Sequence, residues 1–186
     1  MTKVMFMIIL LTVMVLPVCA YAGTVQLPGT GQTSSYESND DGALQKGVAW
    51  PSPRFTDNSN GTVIDNLTGL IWLKNANCLG VSWTAALKDV GSIANGQCGL
   101  TDGSTSGQWR VPNVRELESL VNAGQSNIAA WLNSQGFSSV QSGHYWTATT
   151  YAPSTDDAWY VNLSDGHTYW GKKAVSYYVW PVRSGK

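Results

Sequence analysis

Residues 61–72 read GTVIDNLTGLIW, and this stretch decides the fold. Asn60 precedes Gly61, and an Asn-Gly pair between extended segments is typical of a tight hairpin turn. Residues 62–64 are all β-branched, which favours a short strand. Residues 66–69 supply a second turn before the next apolar run. Consecutive short strands joined by tight turns predict an antiparallel sheet.

The hydrophobic period changes to a helical one after this region. The pattern predicts one helix over residues 82–93, with Ser82 as its N-cap. Asn113 and Glu116 have the spacing of a capping box and predict a second helix. A third short helix is expected over residues 126–134.

Strand-like alternation returns in the last quarter of the chain. Strands are expected over residues 145–150, 158–163, 167–170 and 175–182. The order of strands, helices and strands predicts an α+β class. We expect a twisted antiparallel sheet with two or three flanking helices and long loops.

The composition excludes several classes of protein. Charged residues are only 12% of the 186 residues and the net charge is −1, so nothing in the charge balance points to nucleic acid. Nine Trp and eight Tyr accompany only three Phe, which argues against a disordered chain. Few charges and many aromatic rings favour an exported, β-rich domain.

The N-terminus has the pattern of a secretory signal. Residues 4–18 are apolar but fall short of the roughly 20 residues that a membrane span needs. Residues 20–22 form a small-x-small cleavage site, so no membrane span is expected after cleavage. Cys19 follows a sequence that faintly resembles a lipoprotein box, so lipidation there stays an alternative to cleavage after Ala22.

The chain is therefore expected to divide into a signal peptide, a flexible linker or arm, and one domain, at residues 1–22, 23–48 and 49–186. Cleavage would remove Cys19 and leave Cys78 and Cys98. Two cysteines in an exported chain most simply form a disulfide. Two buried free thiols or a metal pair are the alternatives.

The motifs of common enzymes are missing from the sequence. It contains no G-x-S-x-G elbow, P-loop, G-x-G-x-x-G fingerprint or H-E-x-x-H helix. His144 and His167 are expected at the surface or in turns. We expect no enzymatic activity and no cofactor.

A calcium site is the metal alternative. Oxygen-bearing side chains surround Gly61, at Asp57, Asn58, Asn60 and Asp65. Their register does not fit an EF-hand, and Asn and Asp are also the usual residues of hairpin turns. Turn chemistry is the favoured interpretation, and no metal site is predicted.

Several sequence blocks together carry a family resemblance, and they lie at residues 61–72, 109–117, 145–150, 158–161 and 178–183. Over about residues 54–184 the chain resembles the bacterial family DUF1566, also called the C-terminal domain of a Legionella collagen-like adhesin. The resemblance implies a C-type-lectin-like fold, related to the formylglycine-generating enzymes, and a role in surface adhesion. The namesake binds sulfated glycosaminoglycans.

The chain departs from this family in ways that affect the expected ligand. It has no collagen-like repeat, and Trp180 stands where relatives often have Arg. No cysteine follows Cys98, although the formylglycine-generating activity needs late cysteines. Cations near the motifs are few, namely Arg110, Arg115, Lys172, Lys173 and Arg183. A neutral glycan or a surface protein is therefore the expected partner.

Strand alternation predicts an aromatic platform on the surface. Val175, Tyr177 and Val179 are expected to point inward, and the alternate residues of that strand outward. The expected platform consists of Tyr160, Asn162, Tyr169, Trp170, Tyr178 and Trp180. Sugar rings stack on such side chains.

The sequence thus predicts an exported, non-enzymatic binding or adhesion module that recognises glycan. The alternative is a structural or protein-interaction component of a bacterial surface or extracellular assembly. The periplasm, the cell surface and the external medium all fit this pattern. The sequence predicts no particular oligomeric state.

Overall fold

The structure is a computed structural model that describes residues 27–185. The predicted signal peptide and Cys19 lie outside the described residues. In the described range the strands are β1 Phe55–Asp57, β2 Thr62–Asp65, β3 Leu70–Leu73, β4 Leu79–Ser82, β5 His144–Thr150, β6 Asp157–Asn162, β7 Thr168–Lys172, β8 Ser176–Val179 and β9 Val182–Ser184. The helices are α1 Asp41–Leu44, α2 Trp83–Gly91, α3 Val114–Glu118 and α4 Ile128–Ser134.

The strands form two sheets. The first has the order β1-β2-β3-β9 and is antiparallel throughout. The second has the order β4-β8-β5-β6-β7, and its β5–β8 pair is parallel. The predicted α+β class is confirmed, but the strands divide between two sheets and the second sheet is mixed. The C-type-lectin-like topology stays a prediction.

Residues 61–72 fold as their turns indicate. The β1–β2 and β2–β3 pairs are antiparallel hairpins. Gly61 has a φ of +84°, and a Cβ there would lie 2.3 Å from the carbonyl oxygen of Gly99. Only glycine combines that backbone conformation with such a close approach.

The last predicted strand is the clearest error in the expected secondary structure. Residues 175–182 were expected to form one strand, but β8 ends at Val179 and β9 begins at Val182. The two strands belong to different sheets. Trp180 and Pro181 therefore carry the chain from the second sheet to the first.

The segment before the first sheet, residues 27–48, is called the arm below. Pro28 and Val48 form a parallel bridge that brings its two ends together. The indole N–H of Trp50 donates to the carbonyl of Gly29 at 2.8 Å. These contacts place the arm against the start of the domain.

Cys78 and Cys98 form a disulfide, so the pairing predicted for them is confirmed. The bridge connects the segment between β3 and β4 to the loop after α2. Both cysteines pack against the hydrophobic core.

Replacing both cysteines with serine is expected to lower the free energy of unfolding by about 3 kcal/mol, because the bridge closes a loop of sequence separation 20. Urea titration measures the change, and reduction of the unchanged protein with dithiothreitol should reproduce it. A double variant that unfolds at the same urea concentration as the parent would contradict this expectation.

The capping box predicted for the second helix is present at the start of α3. The side chain of Asn113 accepts from the Glu116 backbone, and the Glu116 carboxylate accepts from the Asn113 backbone. The same carboxylate binds Arg110 through two hydrogen bonds of 2.6 and 2.7 Å. Burial raises the pKa of Glu116, but the Arg110 guanidinium and the Asn113 N–H outweigh it, and the pKa is lowered overall.

A lowered carboxyl pKa makes stability depend on pH in the acid range. The stabilisation is complete above the pKa of Glu116 in the unfolded chain and is lost as the pH falls through the folded pKa. We expect Glu116→Gln to lower the free energy of unfolding by about 0.5–1 kcal/mol at neutral pH. The variant should also lose less stability than the parent as the pH falls. Unfolding followed by circular dichroism from pH 7 downward measures this. The matched control is Glu37→Gln on the exposed arm, which should keep the parent's pH profile.

Candidate functional site

The aromatic residues of the second sheet fall on two opposite faces. Tyr160 is paired with Tyr169, and Trp159 with Trp170, across β6 and β7. Side chains of adjacent residues in a strand point to opposite faces. The two tyrosines therefore lie on one face and the two tryptophans on the other, so the single platform predicted for Tyr160, Tyr169 and Trp170 is wrong.

The face that carries the tyrosines extends over two further strands, β5 and β8. We call it the tyrosine face and define it by its ring-bearing side chains, His144, Trp146, Tyr160, Tyr169 and Tyr177. Tyr160 lies 5.0 Å from Tyr177 and 5.9 Å from Tyr169 between ring centroids. Tyr169, on the edge strand β7, is 41% exposed. The rings thus form one continuous strip that ends at an exposed tyrosine.

Two residues support this strip from within. Trp146 is fully buried and its ring lies 4.5 Å from that of Tyr177. The His144 ring packs at 4.6 Å from Tyr160 and 4.9 Å from Tyr177. Because these side chains are packed, the half-buried tyrosines above them are held in place.

The phenol of Tyr160 lies in surroundings that disfavour its ionised form. Burial raises the pKa of Tyr160, and the neighbouring Tyr177, Tyr169 and Asp165 raise it further. The phenol of Tyr160 therefore remains protonated at neutral pH and can donate a hydrogen bond.

An open cleft of about 490 Å³ adjoins the tyrosine face. Its lining residues are Gly80, Ser142, Gly143, His144, Ser176, Tyr177 and Tyr178. The lining thus contains the side chains of two serines, two tyrosines and one histidine, together with two glycines. Such a wall offers hydrogen-bonding groups beside aromatic surface, which suits a ligand with both hydroxyl groups and an apolar face.

Tyr178 reaches this cleft from the other side of its strand. Its ring packs on the buried Tyr145 at 5.2 Å, whereas Tyr177 contacts the tyrosine face. The predicted alternation of β8 therefore holds for Val179, which is buried, but not for Tyr178, whose ring packs on the core. Val175, which set that alternation, is exposed and precedes the strand.

Asn162 lies at the end of β6, and its side chain is used by the following turn. Its amide oxygen accepts from the backbone N–H and the hydroxyl of Ser164 at 3.1 and 2.9 Å. Its amide nitrogen donates to Asp165 at 3.1 Å. The structure thus gives this predicted platform residue a role in the turn.

Trp170 belongs to a second aromatic group on the opposite face. Its ring stacks on Tyr151 at 4.7 Å and meets Trp159 edge-on at 5.8 Å. Trp170 is 50% exposed, so this group also reaches the surface.

The prediction that Trp180 is exposed is wrong, because its side chain is 0% exposed. Its indole N–H donates to the carbonyl of Leu73 at 2.7 Å. Its ring lies 5.6 Å from Trp72, 4.9 Å from Phe137 and 5.8 Å from Tyr145. Trp180 therefore fills the core between the sheets and is removed from the platform.

Truncating the buried and the exposed tryptophan should have very different effects. We expect Trp180→Ala to lower the free energy of unfolding by about 3–5 kcal/mol. The matched variant Trp170→Ala, at a half-exposed site, should cost at most about 1 kcal/mol. Chemical denaturation of both proteins measures the difference, and similar losses would contradict the burial of Trp180.

The residues considered for calcium are engaged in turn hydrogen bonds. Asp57 accepts from the Ser59 backbone at 2.9 Å and from the Lys74 ammonium at 2.6 Å. Asn60 accepts from both the backbone and the hydroxyl of Thr62. Within residues 27–185, His, Cys, Asp and Glu form no group of three or more that could hold a metal ion.

One known protein family matches most of the chain. Residues 61–183 match the family described as the Lcl C-terminal domain. The chain belongs to this family. The Lcl C-terminal domain is named after a Legionella collagen-like protein and is an adhesion-type module of the cell surface or exterior. The comparison with curated proteins finds no match.

The disulfide of this Lcl C-terminal domain fits an exported protein, because disulfides persist in oxidising compartments. None of the helices in the described residues has the length and hydropathy needed to cross a bilayer. The matched range contains the whole second sheet, and therefore the tyrosine face and its cleft.

Proposed function

We propose that this chain is an exported, non-enzymatic adhesion module that binds glycan through the tyrosine face and its cleft. The observation that carries the proposal is the continuous strip from Tyr177 through Tyr160 to the exposed Tyr169. A strip of rings beside hydroxyl groups matches a sugar, which presents C–H faces and hydroxyls together.

The packing of the strip favours binding. Trp146 and His144 hold the tyrosines from within, so little side-chain entropy is lost when a ligand stacks on them. The hydroxyls of Ser142 and Ser176 line the cleft and supply hydrogen bonds. The tyrosine face thus provides the stacking surface and the cleft provides the orientation.

The charges near the family motifs favour a neutral glycan over a sulfated one. Each of the five cations already has a partner: Arg110 pairs with Glu116, Arg115 with Glu118, Lys172 with Asp157 and Arg183 with Asp102, and Lys173 lies over the Trp83 ring. A polyanion would have to compete with these contacts. Recognition by rings and hydroxyls requires no such competition.

The non-enzymatic part of the proposal is supported by the placement of the histidines. His144 packs between two tyrosine rings. His167 lies beside Asp165 in the exposed turn after β6, at 3.4 Å. Packing and turn contacts account for both side chains.

Binding to an array of neutral and sulfated glycans tests the proposal. We expect the parent protein to bind neutral glycans, and Tyr169→Ala to weaken that binding by about tenfold, since an exposed ring is lost. The matched control is Tyr36→Ala, which removes an exposed tyrosine from the arm. Stronger binding to sulfated glycans, or equal effects of both variants, would contradict the proposal.

A protein interface is the second candidate, because β7 is an edge strand with exposed rings on both faces. An exposed edge can pair with a strand of another chain. Sedimentation across protein concentrations separates the two candidates. Association without glycan that Tyr169→Ala and Trp170→Ala both weaken would favour the interface.

A further inference from the structure

A second cavity lies between the arm and the domain, and it shares no lining residue with the tyrosine face. It measures about 700 Å³, within the range of about 300–1,000 Å³ that is typical of ligand sites. One wall consists of arm residues and the residues up to Arg54. The other wall consists of Asn122, Gln125, Trp131 and Gln135. We call it the arm cavity.

Backbone contacts fix both sides of the arm cavity. The Ala123 N–H donates to the carbonyl of Thr30 at 2.9 Å, which joins the arm to the domain. Gly31, with a φ of +87°, approaches so closely that a Cβ there would lie 2.5 Å from Asn122 Oδ1 and 2.6 Å from the Trp50 ring. The cavity is therefore a built feature of the fold.

Two indole rings supply its aromatic surface. Trp50 and Trp131 lie 5.9 Å apart with their planes inclined by 36°. The Arg54 guanidinium lies 3.9 Å from the centroid of Trp50, and the Trp50 N–H is held by the Gly29 carbonyl. Trp50 is thus fixed in orientation before any ligand arrives.

Amide groups supply the polar part of the cavity. Asn122 is only 6% exposed, and its side-chain oxygen accepts from the Gly124 N–H at 2.9 Å. That bond fixes the side chain and leaves its NH₂ group without an acceptor among residues 27–185. The side-chain amides of Gln125 and Gln135 line the same wall. Amide donors beside indole rings suit a ligand with carbonyl oxygens.

The arm cavity carries no excess charge. Arg54 is buried and paired with the buried Asp65, so its charge is compensated. The other charged lining residues are one cation, Lys46, and one anion, Asp41. A neutral ligand therefore fits this environment better than an ionised one.

We propose that the arm cavity binds a neutral oligosaccharide that carries N-acetyl groups. The pyranose faces and the acetamido methyl stack on Trp50 and Trp131, and the acetamido carbonyl accepts from the Asn122 NH₂ group. The family match begins at residue 61, so the arm wall lies before the matched range. The site is a second one, and it does not depend on the tyrosine face.

Titration calorimetry of the full folded domain with tri-N-acetylchitotriose tests this assignment, and cellotriose serves as the matched sugar without acetamido groups. We expect chitotriose to bind at least about tenfold more tightly than cellotriose, and Trp131→Ala to weaken it by a similar factor. Thr33→Trp should also block binding, because this exposed arm residue lines the cavity and a larger side chain fills it. Near-ultraviolet circular dichroism establishes that each variant is folded.

Tyr36→Ala is the matched control, because this exposed arm residue does not line the cavity, and it should leave chitotriose binding unchanged. The assignment is overturned if chitotriose does not bind, if cellotriose binds equally well, or if the Thr33 and Trp131 variants bind like the parent. The assignment is also overturned if Tyr169→Ala loses chitotriose binding while the Thr33 and Trp131 variants keep it. That result would assign the sugar to the tyrosine face.

Discussion

The contact on which the rest of the structure depends is the buried indole of Trp180. It lies where the chain leaves β8 of the second sheet and enters β9 of the first. Its ring packs on Trp72 of the first sheet and Tyr145 of the second, and its N–H is satisfied by the Leu73 carbonyl. This hydrogen bond stabilises the buried indole, because an unpaired N–H in a core is costly. One side chain thus fixes how the two sheets meet.

The register of β8 determines the faces on which its two tyrosines lie. Tyr178 is in register with Tyr145 across the β5–β8 pair, and the two rings pack together. Tyr177 therefore joins Tyr160 on the tyrosine face, and Tyr178 rests on the core.

Low charge gives the surface its chemical character. The cations near the motifs are held by carboxylates or by an indole ring, so rings, hydroxyls and amides are the groups left for a partner. The tyrosine face and the arm cavity both have this composition, but the first is a strip on a sheet and the second a cavity between the arm and the domain. Two neutral aromatic sites on one small adhesion-type domain would let a weak ligand bind with increased avidity.

Local signals in the sequence determined the class, the hairpins around Gly61, the capping box of Asn113 and Glu116, and the disulfide, because each depends on residues close in sequence or on the cysteines alone. The sequence did not determine the short strand β4, the helix α1 or the division into two sheets, since these depend on long-range pairing. It also assigned Trp180 to the surface, because alternation assumes that a strand continues. Only the tertiary structure decided that the strand ends at Val179, and that end places the indole in the core.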